Sequence, residues 1–200
     1  MISRVVDVVR PRESEFTGFA YFYCNRYEEH RRRSNVVLQS YVKQLASSFC
    51  DQIHSSLIKI YEAKEHPGFA SASLSHTEAT VLLSELIGSF SRSILILDAL
   101  DECHENERTI LIELFDELIN TLLAVTIIVS SRRDDDITRQ LRKEANIGIE
   151  AIDNHDDIRT YVEEEMSKDA QRRERLAIRP ISSTLRNDIS KTLTEKSQGM

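Results

Sequence analysis

The stretch Ser93–His104 reads Ser-Ile-Leu-Ile-Leu-Asp-Ala-Leu-Asp-Glu-Cys-His. Four apolar residues, Ile94 to Leu97, run straight into Asp98, and Asp101 and Glu102 follow after Ala99 and Leu100. An unbroken apolar run of this length suits a strand buried on both faces of a parallel sheet. Carboxylates just past its end fall at the carboxyl edge of that sheet, where open α/β folds hold their ligands. A charge there is costly unless it is paired or holds a cation. Mg²⁺ is the usual cation at such a position in an enzyme that handles phosphate.

Working outward, strand and helix signals alternate. Thr17–Cys24 is a strand by its aromatic and β-branched content. Asn25–Arg33 is a polar loop that ends in three arginines; they suggest either a phosphate or RNA contact or, more simply, a solvated loop ahead of a helix. Ser34 is placed to cap that helix, in which Val37, Leu38, Tyr41, Val42, Leu45 and Phe49 recur at helical spacing. Ile53, Leu57 and Tyr61 suggest a second helix or a continuation, stopped by His66-Pro67-Gly68. Ser75 and Glu78 fit a capping box for a helix that buries Leu82, Leu83, Leu86, Ile87 and Phe90.

Beyond the central strand, Asn106–Leu123 is amphipathic, with Leu111, Phe115, Leu118 and Leu122 on one stripe. Val125–Ser131 is expected to be the next buried strand. Asp134, Asp135 and Asp136 open a short helix over Ile137–Arg142, where the helix dipole favours acidic residues; a metal cluster is the sharper alternative. A short strand is expected over Ile147–Ile152. A helix follows, capped by Asn154 or Asp156, with Ile158, Tyr161, Val162 and Met166 inward. Lys168–Arg175 is highly charged, Pro180 breaks the chain, and Ser182–Lys196 forms a last helix. The alternation gives an α/β fold with a parallel sheet.

The pattern of Ile94–Glu102 is the Walker B pattern of a P-loop NTPase, and in this form it resembles the NACHT NTPases, within them the fungal and nephrocystin-type N-terminal domains. Three more stretches carry the likeness. Phe19–Cys24 resembles the aromatic strand after the P-loop helix, Val125–Arg133 resembles the sensor 1 strand, and Asp156–Met166 resembles the helix after the last sheet strand.

The resemblance implies a three-layer P-loop NTPase-like parallel sheet with flanking helices. The Walker A strand would lie between the sensor 1 strand and the last strand. Asp98 would hold Mg²⁺, Ala99 would leave room for the metal and its waters, and Asp101 and Glu102 would orient or deprotonate the attacking water. Arg132 would sense the γ-phosphate of ATP or GTP. The chain would act as a signal-transduction switch that self-associates or binds protein partners.

One departure matters. The chain holds no G-x-x-x-x-G-K-[ST], the loop whose backbone N–H groups cradle phosphates. Its five glycines, Gly18, Gly68, Gly88, Gly148 and Gly199, are isolated. In the family's register Ile2–Val9 is the end of the P-loop helix. The expectation is therefore a fold lacking the Walker A strand and loop: residues 1–167 as a partial NACHT core, and 168–200 as a charged linker and the start of a helical subdomain. Nucleotide binding and hydrolysis would be impaired. The alternative is a non-enzymatic interaction module or degenerate gene product of the same family.

Composition narrows the remaining classes. The 200 residues are 40% hydrophobic and 30% charged, with a net charge of −7, ordinary for a globular protein. The acidic balance disfavours nucleic acid and anionic membrane as general partners. No apolar run approaches the roughly 20 residues that span a bilayer, and no apolar region behind Met1 suggests a signal peptide. Cys24, Cys50 and Cys103 are odd in number and widely spaced, and read as reduced thiols in a cytoplasmic protein. Cys103 and His104 are adjacent and so point apart, which disfavours a thiolate–imidazole pair. No zinc-ligand spacing occurs.

Overall fold

The protein is described by a computed structural model covering residues 2–9, 16–48, 53–64, 73–122, 124–148, 155–176 and 181–196. It is an α/β protein whose chain divides into two compact units, Met1–Glu144 and Ala145–Met200.

In the first unit the elements run α1 (Ile2–Val9), β1 (Thr17–Tyr23), α2 (Ser34–Ser47), α3 (Ser55–Lys64), α4 (His76–Gly88), β2 (Arg92–Asp98), α5 (Glu105–Thr121), β3 (Val125–Val129) and α6 (Asp135–Gln140). Short 3₁₀ turns span Glu29–Arg32 and Leu100–Glu102. The strands form one parallel sheet in the order β1-β2-β3. Residues alternate across its faces, as a period of two requires. Ala20, Phe22, Leu95 and Leu97 pack with α2, α4 and α5 in the main core. Ile94 and Ile96 face the other way, onto Val6 of α1. Helices therefore flank both faces of the sheet, and β2 is buried on both, as its apolar run requires.

Several local expectations hold. Ser75 and Glu78 form the capping box of α4, and the five apolar residues expected on its buried face are all buried. A separate second helix, α3, follows α2 and ends two residues before His66.

Others are corrected. Ser34 does not cap α2: it is the first helical residue, and its N–H and hydroxyl both donate to Glu107 of α5. An interhelix carboxylate has taken the place of a local cap. β3 is only partly buried, because it pairs on one side alone among the described residues. No strand is seen at Ile147 or Gly148, and Ile147 is exposed; residues 149–152 of that expected strand lie outside the described residues. Phe49, His66–Gly68, Asn154 and Pro180 also lie outside them.

The outer edge of β1 has a specific cover. The Gln44 side chain accepts from the Tyr21 N–H at 3.1 Å and donates to its carbonyl at 2.7 Å. One amide thus satisfies both ladder groups of that residue, which blunts the edge against further pairing.

The second unit holds α7 (His155–Arg175) and α8 (Ser183–Lys196). The charged stretch from Lys168 to Arg175 is the end of α7. In α7 Val162 is buried, but Tyr161 is exposed and does not turn inward as its spacing suggested. Arg186 of α8 donates to the Ser167 hydroxyl of α7 at 3.3 Å.

Candidate functional site at the carboxyl edge of the sheet

Parallel pairing brings the carboxyl ends of all three strands to one edge. Tyr23 lies opposite Asp98, and Leu97 opposite Val129, so the loops after β1, β2 and β3 converge there. Asp98 ends β2. Its Oδ1 accepts the Ser130 hydroxyl, and among the described residues its Oδ2 takes no hydrogen bond. Ser130 Oγ in turn accepts from the Ala99 N–H at 3.0 Å. The Leu100 N–H donates to the Ser130 carbonyl at 2.9 Å, and Ser130 N–H to the Leu97 carbonyl at 2.9 Å. The turn after β2 is therefore fastened to the residue after β3 through backbone and hydroxyl alike.

Ala99 adopts a left-handed conformation, φ 58° and ψ 53°. For a residue with a Cβ this costs about 1–2 kcal/mol, a strain kept only where the surroundings impose it. The kink turns the chain into the 3₁₀ turn that carries Asp101 and Glu102.

Those two carboxylates are already compensated. Asp101 Oδ1 accepts the Arg132 N–H at 3.1 Å; its Oδ2 lies 3.7 Å from Arg132 Nε and 3.6 Å from an Arg26 guanidinium nitrogen. Glu102 accepts the Arg26 N–H at 3.0 Å and lies 3.4 Å from Arg26 Nε. Asp98, Asp101, Glu102 and Arg132, singled out from sequence, thus meet at one edge, and Arg132 touches Asp101 directly.

A family model described as nephrocystin 3, N-terminal, matches residues 1–132. The chain belongs to this family. The match spans α1 through β3 and includes Asp98, Asp101, Glu102 and Arg132, so the edge just described is part of the nephrocystin 3 N-terminal region. No curated protein and no solved structure matched the chain.

Two members of this edge escaped sequence reading. Arg26 sits in the loop after β1 and carries no pattern of its own. Arg108 of α5 stands between Glu107 and Thr109 in the polar first turns of the helix, where the sequence suggests solvent, yet it is buried. It donates to the carbonyls of Cys103 and Asp101 and to Asp134 Oδ2 at 3.0 Å, and reaches Asp136 at 3.4 Å. A buried guanidinium with five donors can join a turn to a helix start in this way. Its contacts also settle the acidic run Asp134–Asp136. Two of the three aspartates pair with Arg108, and no group of three metal-ligating side chains occurs among the described residues.

The arginine run also has a structural place. Arg31 lies over the Phe22 ring at 5.4 Å, Arg32 donates to the Glu102 carbonyl, and Arg32 and Arg33 both pair with Glu29. His104 Nε2 lies 2.9 Å from Glu29 Oε1. The hydrogen bond to His104 holds the Glu29 carboxyl below its ordinary range; desolvation opposes it, and the nearby charges of Arg32 and Arg33 add to the lowering. His104 therefore works with a carboxylate across the loop, and not with its neighbour Cys103. Among the described residues no helix is long and apolar enough to cross a membrane.

Proposed function

We propose that this chain supplies the Walker B and sensor 1 side of a nucleoside-triphosphate switch domain of the NACHT type. The observation that carries the reading is the convergence of Asp98, Asp101, Glu102 and Arg132 on one carboxyl edge of a parallel sheet. Open α/β sheets hold their ligands at that edge, and phosphoryl chemistry needs positioned charge more than covalent participation.

Mg²⁺ fits the residues present. It binds proteins through one or two carboxylates, with waters and substrate phosphates completing its shell. Asp98 offers one fixed carboxylate with Oδ2 open, held in orientation by Ser130. Bound there, the metal would neutralise phosphate charge in ATP or GTP. Asp101 and Glu102 stand in the next turn to orient or deprotonate a water. Arg132, whose side chain is 74% exposed, is free to swing from Asp101 toward a γ-phosphate. The resting edge is then a compensated network in which Arg26 and Arg132 neutralise the carboxylates until nucleotide competes for them. By this reading the protein is cytoplasmic and self-associates or binds protein partners in response to nucleotide.

The same compensation favours a second reading, an interaction module of the same ancestry that works without nucleotide. The 200 residues contain no phosphate-cradling glycine loop. Calorimetric titration with Mg-ATP separates the two. The chain by itself should show no saturable binding below the millimolar range. A fusion that places a strand and G-x-x-x-x-G-K-[ST] loop from a NACHT domain ahead of α1 should bind in the micromolar range. If the folded fusion stays silent, the interaction module is the better account.

A further inference from the structure

Cys24 and Cys103 lie 79 residues apart in sequence, yet their sulfurs stand 3.1 Å apart in the buried core. Both are free thiols. Cys24 follows β1 directly, with its N–H donating to the Asp98 carbonyl at 3.0 Å. Cys103 follows the turn that carries Asp101 and Glu102, and its carbonyl accepts from Arg108 Nε. A sulfur pair at this distance is about 1 Å from disulfide bonding length. Both side chains are buried, and one of them borders a groove. Cys103 lines an open groove of about 630 Å³, together with Glu29, Arg32, His104, Glu107 and Arg108.

We infer that Cys24 and Cys103 form a thiol pair that a peroxide oxidises to a disulfide, a modification site between the loop after β1 and the turn after β2. The two sulfurs differ in character. The hydrogen bond between the two thiols, in which either can donate, draws the Cys103 thiol below its ordinary range; burial opposes this, and the Arg108 guanidinium assists it. The same hydrogen bond, together with burial, pushes Cys24 up. Cys103 borders the groove beside the Arg108 guanidinium and is the attacking thiolate by that placement, with Cys24 the resolving thiol.

The Cys103 thiolate attacks one peroxide oxygen, the O–O bond breaks, and hydroxide leaves to become water with one proton taken up. This gives a sulfenic acid on Cys103. The Cys24 sulfur then attacks the Cys103 sulfur, the S–S bond forms and the S–O bond breaks. The departing hydroxide takes the Cys24 proton and leaves as the second water. Two thiols are oxidised by two electrons and one peroxide is reduced. The product fastens the end of β1 to the turn that presents Asp101 and Glu102. This inference does not depend on nucleotide binding.

The test is hydrogen peroxide treatment of the whole native chain, alkylation of the remaining thiols and peptide mapping by mass spectrometry. The Cys24–Cys103 cross-link should exceed any pairing with Cys50 at least tenfold, and the same treatment in urea should erase that preference. With Cys24→Ser, a dimedone adduct should appear on Cys103; with Cys103→Ser, Cys24 should stay alkylatable at the same peroxide dose. Recovery of both cysteines as free thiols from the oxidised native chain would overturn the inference. So would a pairing pattern in the native chain equal to that in urea.

Discussion

Arg108 is a buried charged side chain at the carboxyl edge of the sheet. It joins the turn after β2 to the start of α6 through two carbonyls and two carboxylates. Removing one partner of a buried ion pair leaves uncompensated charge and costs about 3–5 kcal/mol. Asp134 and Asp136 are partly solvated, so Arg108→Ala should lose about 3 kcal/mol in urea unfolding. The carboxylates themselves behave differently. Glu102→Gln gives up only a pair with the exposed Arg26, worth about 0–1 kcal/mol. Asp98→Asn keeps an oxygen to accept the Ser130 hydroxyl. Both variants should therefore unfold within about 1 kcal/mol of the parent, on the scale of ordinary surface substitutions, and a loss above about 2 kcal/mol would assign them to the fold. Mutual repulsion within the acidic cluster does not set this balance, because Arg26 and Arg132 pair with its carboxylates. Asp98, Asp101 and Glu102 were legible because they follow an apolar run; Arg26, Arg108, Gln44 and the Cys24–Cys103 contact were not. Their partners lie 23 to 79 residues away or are backbone groups, and only the topology brings them together.

At the scale of elements, β1 and β2 depend on a glycine chosen for space. A Cβ on Gly18 would stand 2.7 Å from Phe90 Cδ2 and 2.7 Å from Ser93 Oγ. Phe90 is itself buried, with its ring tilted against that of Phe16 at 5.2 Å between centroids. Gly18→Ala should cost about 1–3 kcal/mol, the range for overpacking a core, measured by denaturant unfolding. The start of α4 offers a pH test. Glu78 accepts from the Ser75 N–H at 2.7 Å and from Lys64 Nζ at 2.8 Å. Those bonds, that to Lys64 foremost, hold its carboxyl down at about 2, against about 4.3 for an unperturbed glutamate. A depressed carboxyl contributes fully above its unfolded value and loses that contribution as pH falls through the folded one. Stability should thus decline between about pH 5 and pH 2, and Glu78→Gln should flatten that decline while lowering stability at neutral pH. This capping box was plain in the sequence, since its partners are three residues apart. Ser34 looked like the same signal and was not, because Glu107 competes for its hydroxyl from another helix.

For the whole molecule, three parallel strands in the order β1-β2-β3, with helices on both faces, place the β1, β2 and β3 loops together. Ile2–Val9 lies as a helix against one sheet face and does not extend the sheet beside β3. Fold class was legible because a doubly buried strand and amphipathic helices each leave a periodic trace. The partial burial of β3 and the α7 register were not, since edge strands and highly charged helices blur that trace. On the proposed reading, Asp98 is the carboxylate through which Mg²⁺ strengthens nucleotide binding at this edge. The direct measurement is ATP affinity of the phosphate-loop fusion, with and without Mg²⁺, in the parent and in Asp98→Ala. Mg²⁺ should tighten ATP binding at least tenfold in the parent, about 1.4 kcal/mol, and leave the variant unchanged. An equal gain from Mg²⁺ in both proteins, or none in the parent, would contradict the account.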